Sequence, residues 1–318
     1  MSEPLHTAEK DAGLIDVARL SRREREARVT RLISESYSIL DRAIEEHVPA
    51  DKRTVAGIVI LFSGGNDSTV LAHLFKGVAT HAAHANTTIG IEKTREFVRN
   101  TCEEWGLPLL ERTSKSERDS YRNLVLDQGF PGPGHHFKMF QRLKERALEQ
   151  VQRELVLQPY RQRVVFLAGR RRSESQRRQA IPEAERNRSK VWVSPLVNWT
   201  KLDLTTYRLM CAAQGDPVPV NEVSDLIHMS GECLCGSFAT AGEREEITYW
   251  FPEVFEEIAA LEAEIADRED IPAHRRTWGW GADPAVLKAV KAKRSKVGAL
   301  CSSCDDRFQP ALFEEEIA

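Results

Sequence analysis

Nothing in the 318 residues approaches a membrane span: the longest uninterrupted apolar run, Val55 to Phe62, is far short of the roughly 20 residues a bilayer requires. The opening MSEPLHTAEKDAG lacks the apolar core of a secretion signal. A cytoplasmic protein without a membrane partner is therefore expected. Neither charge dominates, since 45 basic residues face 48 acidic ones, which argues against indiscriminate nucleic-acid binding but leaves local patches open. Aromatics make up 7%, and no basic, aromatic-rich stretch of the RNA-recognition-motif kind is present. Cysteine is scarce: Cys102, Cys211, Cys233, Cys235, Cys301 and Cys304 are too few for a disulfide scaffold in a chain this long. The apolar share of 41% nevertheless suffices for a sizeable core and excludes wholesale disorder.

What is present has a clear order. After Gly13 the first 50 residues carry Val29, Leu32, Ile33, Tyr37, Leu40, Ile44 and Val48 at helical spacing, and Val48-Pro49 ends that helix. VAGIVILF then reads as a parallel strand buried on both faces. Further strands are expected at Thr80–Ala85, Leu109–Glu111, Val164–Ala168 and Val191–Val193, with helices over Lys93–Trp105, Lys138–Leu155 and Phe251–Asp267 between and after them. The alternation predicts an α/β fold with a doubly wound, mainly parallel sheet. Three segments are expected: an N-terminal helix over 1–50, a nucleotide-binding domain over 51–215 and a C-terminal cysteine-containing region over 216–318.

Between the buried strand and the next helix stands Ser63-Gly64-Gly65-Asn66-Asp67-Ser68-Thr69. Backbone N–H groups at such a helix start hold anions, the glycines allow close approach, and the hydroxyls add donors. The bland alternative is a helix-capping turn with Asp67 in its first turn. The stretch resembles the S-G-G-x-D-S signature of the PP-loop ATP pyrophosphatases, members of the adenine nucleotide α-hydrolase superfamily with the HUP type of sheet. That resemblance implies pyrophosphate held in the loop and chemistry at the α-phosphate of ATP. Many relatives carry Lys where this chain has Asn66, which removes a phosphate-binding cation.

Gly169, Arg171, Glu174, Ser175 and Arg178 match the G-x-R-x-x-E-S-x-x-R stretch of the phosphoadenosine phosphosulfate (PAPS) reductase family. Guanidinium groups stay charged and grip phosphate or sulfate with paired donors. From Arg161 to Lys190 the chain has ten Lys and Arg against three Glu. Pro195-Leu196, Trp199-Thr200 and Tyr207 are similar to the family's P-L-x-x-W-T segment, and Asp216–Asn221 resembles its proline-containing connection. Lys144 sits where these enzymes place a substrate-binding lysine. The resemblance covers about residues 55 to 240 and implies ATP, adenosine phosphosulfate (APS) or PAPS as ligand.

Cys233-Leu234-Cys235 and Cys301-Ser302-Ser303-Cys304 form a C-x-C and a C-x-x-C, enough for one tetrahedral zinc or one iron–sulfur cluster. A redox dithiol or plain structural thiols are the alternatives. The resemblance favours a 4Fe–4S cluster, because APS reductases and Dnd-type DNA-phosphorothioation proteins combine this fold with one. Here, however, Met139 and Phe140 stand about where the reductases carry a Cys-Cys pair. Cys102 and Cys211 fit helical patterns as buried small hydrophobes, and His135, His136 and His228 are left out of the metal set.

The chain ends CDDRFQPALFEEEIA, without the nucleophilic cysteine motif by which sulfite-forming reductases resemble one another. The expected reaction is therefore ATP-dependent sulfur transfer: adenylation of a DNA or tRNA acceptor with pyrophosphate release, then thiolation by sulfur from a donor such as a cysteine desulfurase. Asp67, Arg171 and Arg178 are the catalytic candidates, with Mg²⁺ a possible companion of Asp67. Sulfite formation from APS or PAPS, and a non-catalytic nucleotide-binding subunit, are the competing readings. The second is favoured by Asn66.

Overall fold

A computed structural model describes residues 12–285, apart from Lys115, Gln176, Arg177 and Ala241. Cys301, Cys304 and the basic stretch 288–296 lie outside the described residues. The chain forms two compact units, each drawn from separated stretches. The first comprises residues up to His84, Val98–Leu110 and Val151–Val220, and the second Ala85–Phe97, Glu111–Gln150 and the residues from Asn221 on.

The first unit opens with helices α1 (Leu14–Arg19) and α2 (Arg22–His47). Ser21 and Glu24 cap α2 reciprocally: Ser21 Oγ accepts from the Glu24 amide at 3.3 Å, and Glu24 accepts from the Ser21 amide at 2.7 Å. Of the predicted apolar face, Val29, Leu32 and Leu40 are buried and Ile33, Tyr37 and Ile44 half-buried, while Ile39 and Ala43, which that spacing leaves out, are buried beside them. Arg28 is also buried on that face, with Nε 3.0 Å from Asp203 at the start of helix α8 (Lys201–Ala213). Trp199 of the P-L-x-x-W-T segment donates to Ser36 at 3.0 Å, so that segment is the seam where α2 meets α8.

The sheet contains β1 (Thr54–Leu61), β2 (His81–Ala85), β3 (Leu109–Arg112), β4 (Gln162–Leu167), β5 (Ala184–Asn187) and β6 (Lys190–Val193), in the spatial order β3-β2-β1-β4-β6-β5. β1 pairs parallel with β2 and β4, and β4 with β6. Only β5, which the sequence reading did not anticipate, runs antiparallel among the described pairs. The order reverses between β1 and β4, the switch point at whose carboxyl ends ligands bind in open α/β sheets. Helix α3 (Asn66–Phe75) follows β1, and α4 (Glu92–Glu104) follows β2.

The second unit is mostly helical, with α5 (Tyr121–Gln128), α6 (His136–Met139), a π turn over Phe140–Glu145, and the first residues of α7 (Arg146–Leu155). It continues with α9 (Glu222–Ile227), α10 (Glu243–Trp250) and α11 (Pro252–Ile265). The long helix expected over Lys138–Leu155 is thus divided by the π turn. Tyr121, Phe130, Met139, Phe251, Ile258 and Trp278 share the core of this unit. Among the described residues, no helix is long and apolar enough to cross a membrane.

Candidate functional site

The loop between β1 and α3 has its one left-handed residue at Gly64, φ +77°, a conformation that costs glycine nothing and a side-chain-bearing residue much more. Gly65 caps α3 with extended backbone and no side chain. The hydroxyls organise the turn: Ser63 and Ser68 Oγ lie 3.1 Å apart, and Ser68 and Thr69 both donate to the Gly65 carbonyl at 2.9 Å. Amides at the start of α3 therefore face the loop with the positive end of the helix behind them.

The second motif follows β4, the strand beside β1 across the switch point. Gly169 lies close to the first loop: a Cβ there would crowd it, standing 3.2 Å from the Asp67 carbonyl carbon and 3.3 Å from the Ser68 amide nitrogen. This close approach lets Arg171 reach back, with Nε donating to Asp67 Oδ2 at 2.9 Å and Nη1 to Ser173 Oγ at 3.1 Å. Glu174 accepts from the Arg171 amide at 3.2 Å and from Arg178 Nη1 at 2.8 Å. Burial pushes the Glu174 carboxyl up to about 7; Arg178 opposes the rise, Asp67 adds to it, and Arg171 opposes it. The chain thus gathers Ser63–Thr69, Gly169, Arg171, Glu174 and Arg178 in one place.

The neighbouring arginines do something else. Arg170 is buried, donating to Ser194 Oγ at 3.0 Å and Glu185 at 2.9 Å, while Arg172 donates to the Ile181 carbonyl and to Asn198. These two anchor the segment to the scaffold and leave Arg171 and Arg178 on the loop side. Sequence reasoning missed Arg208 of α8. Its Nη2 lies 3.1 Å from Asn66 Oδ1, and Nη1 donates to the Pro219 carbonyl at 3.1 Å. A cation therefore stands at position 66 although the residue there is neutral. The contact spans 142 positions, and no local pattern signals it.

The remaining candidates divide. Lys144 lies in the π turn of the second unit. Cys235, also of that unit, is buried, with Sγ 3.3 Å from Ser237 Oγ, and Cys233 is partly buried beside the same core. The adjacent backbone is fixed by Tyr121, which donates to the Cys235 carbonyl at 3.0 Å, and by Trp278, which donates to the Leu234 carbonyl at 2.8 Å. Among the described residues no three His, Cys, Asp or Glu side chains converge as a metal group. The described cysteines are half a ligand set, so they do not by themselves fit a cluster or zinc. Cys102 is buried, and burial pushes its thiol up to about 12, the behaviour of a core residue. Cys211 is half-buried and also raised by burial. His228 caps α9 in the left-handed conformation.

Residues 57–218 match the phosphoadenosine phosphosulfate reductase domain. No curated protein sequence is a match. The chain is similar to a number of solved structures, three of which follow. Phosphoadenylyl-sulfate reductase from Candida auris, in a phosphate complex, is 19% identical, over 71% of this chain and 94% of that one, with a TM-score of 0.41. NMN synthetase from Francisella tularensis is 16% identical, over 75% and 96%, with a TM-score of 0.40. The U34-tRNA thiolase from Methanococcus maripaludis, with its 4Fe–4S cluster, is 15% identical, over 86% and 85%, with a TM-score of 0.38.

Proposed function

Since the chain belongs to the phosphoadenosine phosphosulfate reductase domain family, we propose that its first unit binds ATP and drives sulfur transfer to a nucleic acid. The observation that carries this reading is the Arg171–Asp67 contact, which ties the two anion-binding loops together at the switch point. The loop amides and Ser63 hold the β- and γ-phosphates, and Arg171 and Arg178 face the α-phosphate. An acceptor oxygen attacks the α-phosphorus, the bond to the pyrophosphate oxygen breaks, and the acceptor is left carrying AMP. The terminal sulfur of a persulfide on a donor such as a cysteine desulfurase then bonds to the acceptor atom that carried this oxygen, AMP leaves with the oxygen, and an external thiol reduces the resulting disulfide, freeing the donor and the thiolated acceptor. Fixed guanidinium groups stabilise the charge that develops on the phosphoryl oxygens. Asp67 positions Arg171, and it is the residue that would hold a Mg²⁺ ion, which would supply positive charge to the phosphates. Arg208 supplies the charge that Asn66 lacks, which answers the main argument for a subunit without turnover.

The test is pyrophosphate release from ATP, measured with and without DNA or tRNA. Acceptor-dependent release is expected. ATP binding without release under any condition would leave a non-catalytic subunit, and sulfite formed from APS or PAPS with thioredoxin or glutathione would establish the reductase in its place. A cluster held by Cys233, Cys235, Cys301 and Cys304 is a separate proposal, and no step above passes through it. It predicts brown protein with about four irons per chain after anaerobic purification. Colourless protein with one zinc would make the four cysteines a structural clip.

A further inference from the structure

The arginine-rich run from Arg161 to Lys190 does not gather in one place. Its middle serves the loops at the carboxyl ends of the strands, while its two ends fall at the amino edge of the same sheet. Arg161 directly precedes β4, and its carbonyl accepts from the Thr54 amide at 2.8 Å, beside Arg53 at the start of β1. Antiparallel β5 brings Arg186 and the turn residue Arg188 to the same edge, where the Ser189 carbonyl accepts from the Val164 amide at 3.0 Å. Arg163 lies among them: it is buried, and after burial itself the nearby Arg53 and Arg186 charges most lower its pKa. Among the described residues none of these five arginines is paired with a carboxylate, and buried Arg53 Nε and Arg163 Nε have no hydrogen-bond partner. Gathering like charges without counter-charges costs stability, so the cluster calls for an anion from outside.

An aromatic completes the edge. The loop before Arg161 presents Tyr160 at 92% exposure, and Arg163 holds that loop by donating to the Pro159 carbonyl at 2.5 Å. Strands about 4.8 Å apart spread the charges from β1 across β4 and β6 to β5 over about 14 Å, a span matching about four successive phosphates of a single strand. Cations along a backbone track beside an exposed ring are the elements of single-strand recognition, in which phosphates meet arginines and a base stacks on the ring. We infer that the amino edge of the sheet binds single-stranded nucleic acid, with Arg53, Arg161, Arg186 and Arg188 on the phosphates and Tyr160 under a base. An eight-residue strand separates this edge from the nucleotide loops by about 26 Å. The edge therefore anchors a nucleic acid at a distance from the reacting phosphate. The inference deepens the proposed function by saying how a nucleic-acid acceptor is held. Its test reads binding alone, so a failure of pyrophosphate release and a failure of this inference are separate results.

The test is fluorescence anisotropy of the full chain with a labelled 16-nucleotide single strand, as RNA and as DNA, across a salt series. Four phosphate contacts predict a log–log salt slope of about −3. The triple variant R161A/R186A/R188A is expected to flatten the slope by about 2 and to weaken binding at least 30-fold, with a melting temperature no lower than the wild type's and unchanged ATP binding. Tyr160→Ala is expected to weaken binding about tenfold with the slope intact. Wild-type slope and affinity in the triple variant would overturn the inference. So would polyglutamate competing as well as the oligonucleotide while Tyr160→Ala has no effect, which would mark a surface for acidic peptides. Equal affinity for duplex and single strand would also remove the stacking role.

Discussion

The two edges of the sheet in the first unit use the same side chain in opposite ways. At the carboxyl ends Arg171 lies against Asp67, Arg178 against Glu174 and Arg170 against Glu185. At the amino ends Arg163 feels the charges of Arg53 and Arg186, and among the described residues none of the three is paired with a carboxylate. A guanidinium held by a carboxylate loses little freedom when a ligand arrives. That suits a small ligand whose phosphates must be aligned for reaction. Unpaired arginines on exposed backbone ends have more net charge and less fixed geometry, which suits a long polyanion bound by charge and register.

The sharpest way to break the comparison is at Arg171. Its replacement by Ala removes charge-assisted bonds and leaves Asp67 facing the loop without its cation, a loss of about 3 kcal/mol. Pyrophosphate release should fall on the order of 100-fold, whereas binding of an oligonucleotide should keep its wild-type salt slope. A smaller effect belongs to Glu174. Its carboxyl is pushed up to about 7 by burial, so it becomes neutral as pH falls from 8 to 6. Neutral Glu174 leaves Arg171 and Arg178 with more net charge for phosphate, and ATP affinity should rise several-fold over that interval. Calorimetry on Glu174→Gln should show that dependence flattened. Folding has the matching sign: the folded carboxyl is raised above its unfolded value of about 4.5, so its stabilising contribution is complete below that pH and is lost as pH rises through about 7. The smallest effect is expected at Arg208. Replacing it with Gln should weaken ATP binding about fivefold, and adding Asn66→Lys should restore it, because a cation returns to the same position; a double variant as weak as the single one would remove Arg208 from the site.

What was legible in the sequence was whatever is local. Ser63–Thr69 and Gly169–Arg178 are contiguous stretches next to buried strands, and a strand–loop–helix order fixes where such loops stand. The apolar face of α2 was readable for the same reason, since a period of 3.6 is a local property. The rest depended on strand direction and long-range contact. A count of charges from Arg161 to Lys190 merges both edges, because it ignores that β4 runs from one to the other. The short strand β5, AERN, has no β-branched residue to signal it and is held by pairing with β6. The G-x-R-x-x-E-S-x-x-R resemblance picked out Arg171, but no spacing shows that Arg170 and Arg172 on either side of it anchor the segment through Glu185, Ser194 and Asn198. The π turn over Phe140–Glu145 and the interleaving of the two units likewise leave no periodic trace.

The most direct test is titration of ATP onto three proteins: the wild type, Arg171→Ala, and the triple variant R161A/R186A/R188A. The account predicts one ATP per chain for the wild type, wild-type affinity for the triple variant, and a loss of about two orders of magnitude for Arg171→Ala. Undiminished ATP binding by Arg171→Ala, or an equal loss in the triple variant, would contradict the assignment of the nucleotide to the carboxyl ends of β1 and β4.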